Sequence, residues 1–337
     1  MSQKTLSEIA DKLVLSPKGI LAADESEGTI KKRFDDIGIE SNIENRRNYR
    51  EMLFTTPEIE KYISGVILFD ETVWQKINKV VLIPDYLSQR GILPGIKVDE
   101  GKEPFSDSPN EFVTKGLDGL SVKLPKYVKA GCVFTKWRAV APIGNGIPTN
   151  EAIQINAENL AEFALMSQSH KLVPIVEPEV LMDGNHSIEK CEEVSTKFLS
   201  SVFSNLKKKK VNLKGILLKT NMVVQGKDLG DADANLVAIK TLSVLKKCIP
   251  EEVPGIVFLS GGLSPETATL YLNEINKNKN LPWRLSFSFG RALQKPALSA
   301  WSGDPKNVVL AQNKFKKRAM LNSLATQGLY RTEMEKE

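Results

Sequence analysis

The sequence predicts an α/β fold, a single closed (β/α)8 (TIM) barrel preceded by an amphipathic helix and followed by a short C-terminal tail. Three observations carry that expectation. Eight short apolar runs recur along the 337 residues, most intervals between them have helical patterning, and nearly every run ends in ionisable or glycine-rich residues. Strands that alternate with helices pair in parallel, and eight such units are what a closed barrel needs. A barrel of roughly 250 residues with extensions accounts for the whole chain. No composition shift or Pro/Ser linker divides it, so 1–337 reads as one domain, with barrel strands over about 19–292 and a C-terminal helix and tail over about 305–337.

The N-terminal stretch "MSQKTLSEIADKLVLSPKGI" places Leu6, Ile9, Ala10 and Leu13 at helical spacing, with Glu8, Asp11 and Lys12 between them. Such a pattern is an amphipathic helix, lacking the uninterrupted apolar run of a signal peptide or membrane span. The strand candidates follow in order: "GILAADES" from Gly19, "ISGVILFDE" from Ile63, "GILPGIKVD" from Gly91, "GCVFTKWRAV" from Gly131, "LVPIVEPE" from Leu172, "LKGILLKTN" from Leu213, "PGIVFLSGG" from Pro254 and "RLSFSFGRA" from Arg284. Helical segments such as "NEAIQINAENLAEFALMSQSH" and "SIEKCEEVSTKFLSSVFSNL" precede the fifth and sixth.

Composition narrows the class. The net charge of +5 is far from that of a nucleic-acid binder and suits a small anionic substrate. Cys132, Cys191 and Cys248 are too dispersed for a CxxC motif, and an odd thiol count argues against a disulfide framework, so a reducing, cytoplasmic setting is expected. The sequon at Asn185 has no route to secretion, and Lys207 to Lys210 read as a solvated helix end.

The polar residues at the C-terminal ends of the runs are the informative part. Asp24, Asp70 with Glu71, Lys97, Lys136 with Arg138, Glu177 with Glu179, Lys219, Ser260 with Gly261 and Gly262, and Gly290 with Arg291 all fall there. In a barrel those ends share the face on which active sites are built. Residues two apart on a strand share a side, so Lys136 projects with Arg138 and Glu177 with Glu179, while Trp137 between them turns outward to pack.

With only His170 and His186, both outside the strand ends, zinc or histidine-base chemistry is not expected. Lysine offers another route, because an amine forms a Schiff base with a carbonyl and the iminium then accepts electrons from a breaking bond. Attack needs the neutral amine, about one in a few thousand for an ordinary lysine at pH 7. Burial behind "GILL" and a second cation such as Lys136 both favour the neutral form of Lys219. The turns "LSGG" and "FGRA", after the last two runs, suit a phosphate, with Arg291 adding a bidentate fork. "DESEGTIKKR" from Asp24 puts Ser26, Thr29, Lys32 and Arg33 at a helix start, a second anion site. "GNGIPT" at Gly144 lacks the third glycine of a dinucleotide fingerprint.

In order along the chain, "LAADES", "NRRNYREMLF", "GVILFDET", "GIKVD", "KWRAV", "VPIVEPEV", "GILLKTNM", "FLSGG" and "FGRALQ…AW" resemble the class I fructose-bisphosphate aldolases, from about Ser16 to about Tyr330. The resemblance implies a (β/α)8 barrel, usually a homotetramer, without metal or other cofactor, that reversibly cleaves fructose 1,6-bisphosphate. It further implies that Lys219 forms the Schiff base, that Glu177 is the acid and base, that Asp24 and Lys136 support the intermediate, and that Glu179 holds the lysines. Ser260, Gly261, Gly290 and Arg291 would take the ketose-side phosphate, and Ser26, Thr29, Lys97, Arg33 and Arg138 the other. The sequence ends at "LYRTEMEKE", whereas animal members continue into a tail with a tyrosine that assists proton exchange; Tyr330 aligns before that tail, and exchange here is expected to be slower or to use another group. Thr220, Thr29 and Asp70 depart from animal members, which have proline, often serine, and histidine there. Another lysine-dependent barrel aldolase and a barrel kept as a binding scaffold are the competing readings; the complete set of Lys219, Lys136, Glu177 and Asp24 argues against the scaffold.

Overall fold

The computed structural model describes residues 5–105 and 108–336. In chain order the elements are α1 (Leu6–Leu13), β1 (Gly19–Ala23), α2 (Glu27–Asp35), α3 (Ile43–Phe54), β2 (Ile63–Leu68), α4 (Asp70–Val73), β3 (Lys76–Ile77), β4 (Val81–Leu82), α5 (Ile83–Gln89), β5 (Leu93–Lys97), β6 (Lys102–Phe105) and β7 (Ser108–Thr114). There follow α6 (Leu120–Lys129), β8 (Phe134–Ala141), α7 (Asn150–Ser169), β9 (Val173–Val180), α8 (Ile188–Lys208), β10 (Leu217–Thr220), α9 (Ala234–Cys248), β11 (Gly255–Phe258), α10 (Pro265–Asn276), β12 (Arg284–Phe289), α11 (Arg291–Trp301) and α12 (Val308–Ala325). Eight of the strands close a parallel barrel in the order β1-β12-β11-β10-β9-β8-β5-β2, as the alternating runs predict.

Period-two alternation divides the barrel interior from the shell. Outward residues pack under the helices; Trp137 is fully buried and stacks on Phe163 of α7 with ring centroids 5.6 Å apart. Inward residues below the charged strand ends, among them Ile20, Ile67, Phe134, Ile175, Leu217 and Val257, form a separate apolar cluster with Ile9, Ala10 and Leu13 of α1. The amphipathic helix therefore plugs the bottom of the barrel, and Thr5 and Glu8 cap it reciprocally. Gly95 is needed here, since a Cβ would meet the Phe134 ring at 2.2 Å.

Helix starts follow the strand ends with side-chain caps: Thr149 accepts from the Ala152 amide, Ser187 from Lys190, Asp233 from Leu236 and Ser264 from Thr267. Two features depart from expectation. The sixth strand begins at Leu217, because Leu213–Gly215 forms a 3-10 turn in which Asn212 accepts the Lys214 amide. Two small antiparallel pairs, β3 with β4 and β6 with β7, occupy the loops after β2 and β5. Beyond the barrel, α12 packs on α11, α10 and α3, and the amide of buried Tyr330 donates to Asn273 Oδ1 of α10 (2.9 Å), so Tyr330 belongs to this outer layer.

Shortening Leu13 removes a fully buried side chain from the plug. Leu13→Ala is expected to lower unfolding free energy by about 2–5 kcal/mol in urea titration, with little change in kcat, since Leu13 packs at the barrel bottom and does not line the cleft.

Candidate active site

The same alternation that buries apolar residues at the bottom of the barrel carries the inward column of four strands up to charge. β1 runs through Ile20 and Ala22 to Asp24, β8 through Phe134 to Lys136 and Arg138, β9 through Val173 and Ile175 to Glu177 and Glu179, and β10 through Leu217 to Lys219. These ends surround a cleft of about 720 Å³ lined by the strand-end and turn residues named from the sequence, except Lys32, Glu71 and Gly262. Glu71 instead grips Arg46 of α3 (2.5 Å), and Lys32 is exposed on α2.

At its floor Glu177 lies between two amines, with Lys219 Nζ 3.0 Å from Oε1 and Lys136 Nζ 3.1 Å from Oε2. Lys136 also reaches Asp24 Oδ2 at 2.7 Å. Lys136, Glu177 and Lys219 are only 3%, 3% and 4% exposed. Burial by itself disfavours the charged forms of Lys136 and Glu177, but the opposite charges outweigh it. Against that burial, Lys136 and Lys219 hold the Asp24 and Glu177 carboxyls below the usual carboxylate range. Asp24 and Glu177 in turn hold the Lys136 ammonium above its ordinary value, again against burial.

One expected contact is corrected. Glu179 is ion-paired with Arg138 rather than with a lysine, because two residues beyond Glu177 it has climbed past the ammonium layer to the level of the guanidinium. Burial opposes the Arg138 charge, yet Glu179 raises its pKa further. Lys97 Nζ lies 2.6 Å from Asp99 Oδ1, and Asp99 Oδ2 also accepts the Arg138 amide (3.3 Å). Arg33 pairs with buried Glu25, which Arg50 (2.8 Å) and Gln294 Nε2 (2.8 Å) hold from behind. Ser26 and Thr29 share a hydroxyl contact of 3.1 Å at the start of α2.

Across the ring, Ser260 and Gly261 follow β11, and Gly261 and Gly262 have φ of +60° and +134°, a turn open to glycine. Gly290 caps α11 and Arg291 is its first residue. Sequence reasoning missed Asp99, Glu25 and Ser288. Ser288 Oγ is buried without a protein partner in the cleft wall; its place two residues before Gly290 was the available signal. Asp70 accepts hydrogen bonds from the Tyr127 hydroxyl (2.8 Å) and the Trp74 indole (3.3 Å), which accounts for a carboxylate at that position. His170 and His186 lie outside the cleft lining, and among the described residues no group of three His, Cys, Asp or Glu gathers to hold a metal ion.

A closed eight-stranded barrel with a two-lysine, two-carboxylate cluster beneath a cationic mouth defines a TIM-barrel protein with a charged cleft at the C-terminal ends of its strands. Comparison with known proteins specifies it further. The family described as fructose-bisphosphate aldolase class-I matches residues 5–337. A probable fructose-bisphosphate aldolase class 1 of Xanthomonas campestris pv. campestris is 49% identical over 333 residues, covering 98% of this chain and 100% of the relative. Fructose-bisphosphate aldolase 4, cytosolic, of Arabidopsis thaliana is 50% identical over 316 residues, 93% of this chain and 80% of that one. A solved fructose-bisphosphate aldolase from Plasmodium falciparum superposes with a TM-score of 0.95 at 47% identity, over 97% of this chain and 95% of its own. The chain belongs to the class I fructose-bisphosphate aldolase family.

Because the Asp24 carboxyl is depressed in the fold, its contribution to stability is complete above its unfolded pKa of about 3.9 and is lost as pH falls toward the folded value. Asp24→Asn is expected to be less stable than the parent at pH 7, with the difference narrowing as pH is lowered from about 5 toward 2. Urea midpoints across that range check the sign; a gap that widens in acid would contradict the assignment.

Proposed function

We propose that this enzyme reversibly cleaves fructose 1,6-bisphosphate to dihydroxyacetone phosphate and glyceraldehyde 3-phosphate through a Schiff base on Lys219. The observation that carries the reading is one buried carboxylate, Glu177, within ion-pair distance of both lysines. Glu177 accepts the proton Lys219 must lose before it attacks the C2 carbonyl, then returns a proton to the departing hydroxyl as the carbinolamine becomes an iminium. As a carboxylate again, it takes the C4 hydroxyl proton. The C3–C4 bond breaks, its electron pair enters the iminium to give an enamine, and the aldehyde leaves. Asp24 and Lys136 orient the substrate hydroxyls and balance the charge that moves through these steps.

Two anion sites flank the lysine. Ser260, Gly261, Gly290 and Arg291 take the ketose-side phosphate, and Ser26, Thr29, Arg33, Lys97 and Arg138 the other, with Glu179 positioning Arg138. Residues 1–337 act as one catalytic domain, and the family resemblance supports a homotetramer working in the cytoplasm. Among the described residues no helix is long and apolar enough to cross a membrane.

Borohydride reduction with dihydroxyacetone phosphate, in EDTA, is expected to leave a reduced adduct that peptide mass spectrometry locates on Lys219. Lys219→Met is expected to lose the adduct and more than about a thousandfold in kcat. An adduct on a different lysine would overturn the mechanism. Glu177→Gln is expected to lower kcat by about 10²- to 10⁴-fold, measured by coupled assay of triose phosphate; a loss under tenfold would move proton transfer to another group.

A further inference from the structure

The cations around the cleft divide into two kinds. Arg33 is paired with Glu25, Lys97 with Asp99, Lys123 with Glu100, Lys136 with Asp24 and Glu177, Arg138 with Glu179, and Lys219 with Glu177. Among the described residues, Lys102 and Arg291 are the cleft cations with no carboxylate within ion-pair distance. They stand well apart on the ring, Arg291 after β12 and Lys102 after β5, three strands round the closed order. An unneutralised cation at each side of the Schiff-base lysine is what a substrate with an anion at each end requires.

Lys102 is also held in place. Its Nζ sits 3.4 Å from the centroid of the Phe112 ring, a cation–π seat within the β6–β7 pair. That pair is fastened to the barrel: Thr114, opposite Lys102, donates its hydroxyl to the Arg138 carbonyl (2.8 Å), Asn156 of α7 donates to the Phe112 carbonyl (2.7 Å), and buried Glu111 accepts the Thr149 amide (2.7 Å). Burial first, and Arg138 second, lower the Lys102 pKa, so an arriving anion meets an ammonium with unmet electrostatic demand.

We infer that Lys102 is a specificity residue for the phosphate remote from Lys219, contacting it from the β6–β7 pair while Lys97 and Arg138 hold it from the strand ends. The inference rests on the proposed reading of a bisphosphorylated ketose substrate. It separates Lys102 from the strand-end cations, because a residue on this outer hairpin can contact only a substrate long enough to reach the mouth.

The test compares fructose 1,6-bisphosphate with fructose 1-phosphate, which lacks the remote phosphate, in the full-length enzyme. Loss of one charge-assisted contact is expected to lower the bisphosphate-to-monophosphate ratio of kcat/KM about tenfold in Lys102→Met, through KM for the bisphosphate. Lys102→Arg is expected to restore the ratio to within about threefold, because it keeps the charge. A ratio unchanged in Lys102→Met overturns the inference, whether both activities fall together, as for a structural role, or neither falls. A parent enzyme that cleaves neither sugar and traps no dihydroxyacetone phosphate removes the functional reading itself, and the inference with it.

Discussion

Glu177 can be buried only because two ammonium groups are buried with it, and Lys136 only because Asp24 completes the set. The contacts run as a chain from Asp24 through Lys136 and Glu177 to Lys219, so every group at the cleft floor has a partner of opposite type. Removing any one would strand a partner in a poorly solvated space, where an uncompensated charge costs several kcal/mol. The cluster is thus both the densest electrostatic constraint in the molecule and a reservoir of protons a few ångströms apart.

That constraint shapes what surrounds it. The plug of α1 residues beneath keeps water from entering at the bottom, so the cluster opens in one direction, toward the cleft. Above it, a second tier of ion pairs, Arg138 with Glu179 and Lys97 with Asp99, fixes long side chains in advance of any ligand. Fixed charges of this kind need little reorganisation when an anion arrives. The strand ends determine which charges belong to which tier, since each step of two residues rises one layer.

Much of this was legible in one dimension because period-two alternation is the rule that builds it. The run Leu217, Lys219 and the run Ile175, Glu177, Glu179 announce a change from apolar to charged on one face, and the eight runs announce closure. What alternation does not carry is the height at which side chains from different strands meet. In register Arg138 lies opposite Glu177 and Glu179 opposite Val140, so the Arg138–Glu179 pair depends on the long arginine side chain reaching one layer up, which no run contains. Glu25 was hidden because it turns toward Arg50 on another element, and Asp99 because its second contact, the Arg138 amide, comes from a neighbouring strand that its own run does not contain. The two-residue strands β3 and β4 are too short to have a period at all.

The two anion sites are built from different materials, and the proposed reaction gives that difference a reason. On the β11–β12 side the groups are the glycine turns and the start of α11, close to the barrel wall, with the Ser260 and Arg291 side chains beside them. Beyond β5 and β8 they are long side chains, Lys97, Lys102 and Arg138, reaching in from the rim. After the C3–C4 bond breaks, the ketose half remains covalently attached to Lys219 and must stay registered for the proton or aldehyde that comes next, so groups close to the wall suit it. The aldehyde half must leave once per cycle. Lys97 and Arg138, each already paired with Asp99 or Glu179, can release a phosphate without being left unpaired, whereas Lys102 loses its only anion when the phosphate departs.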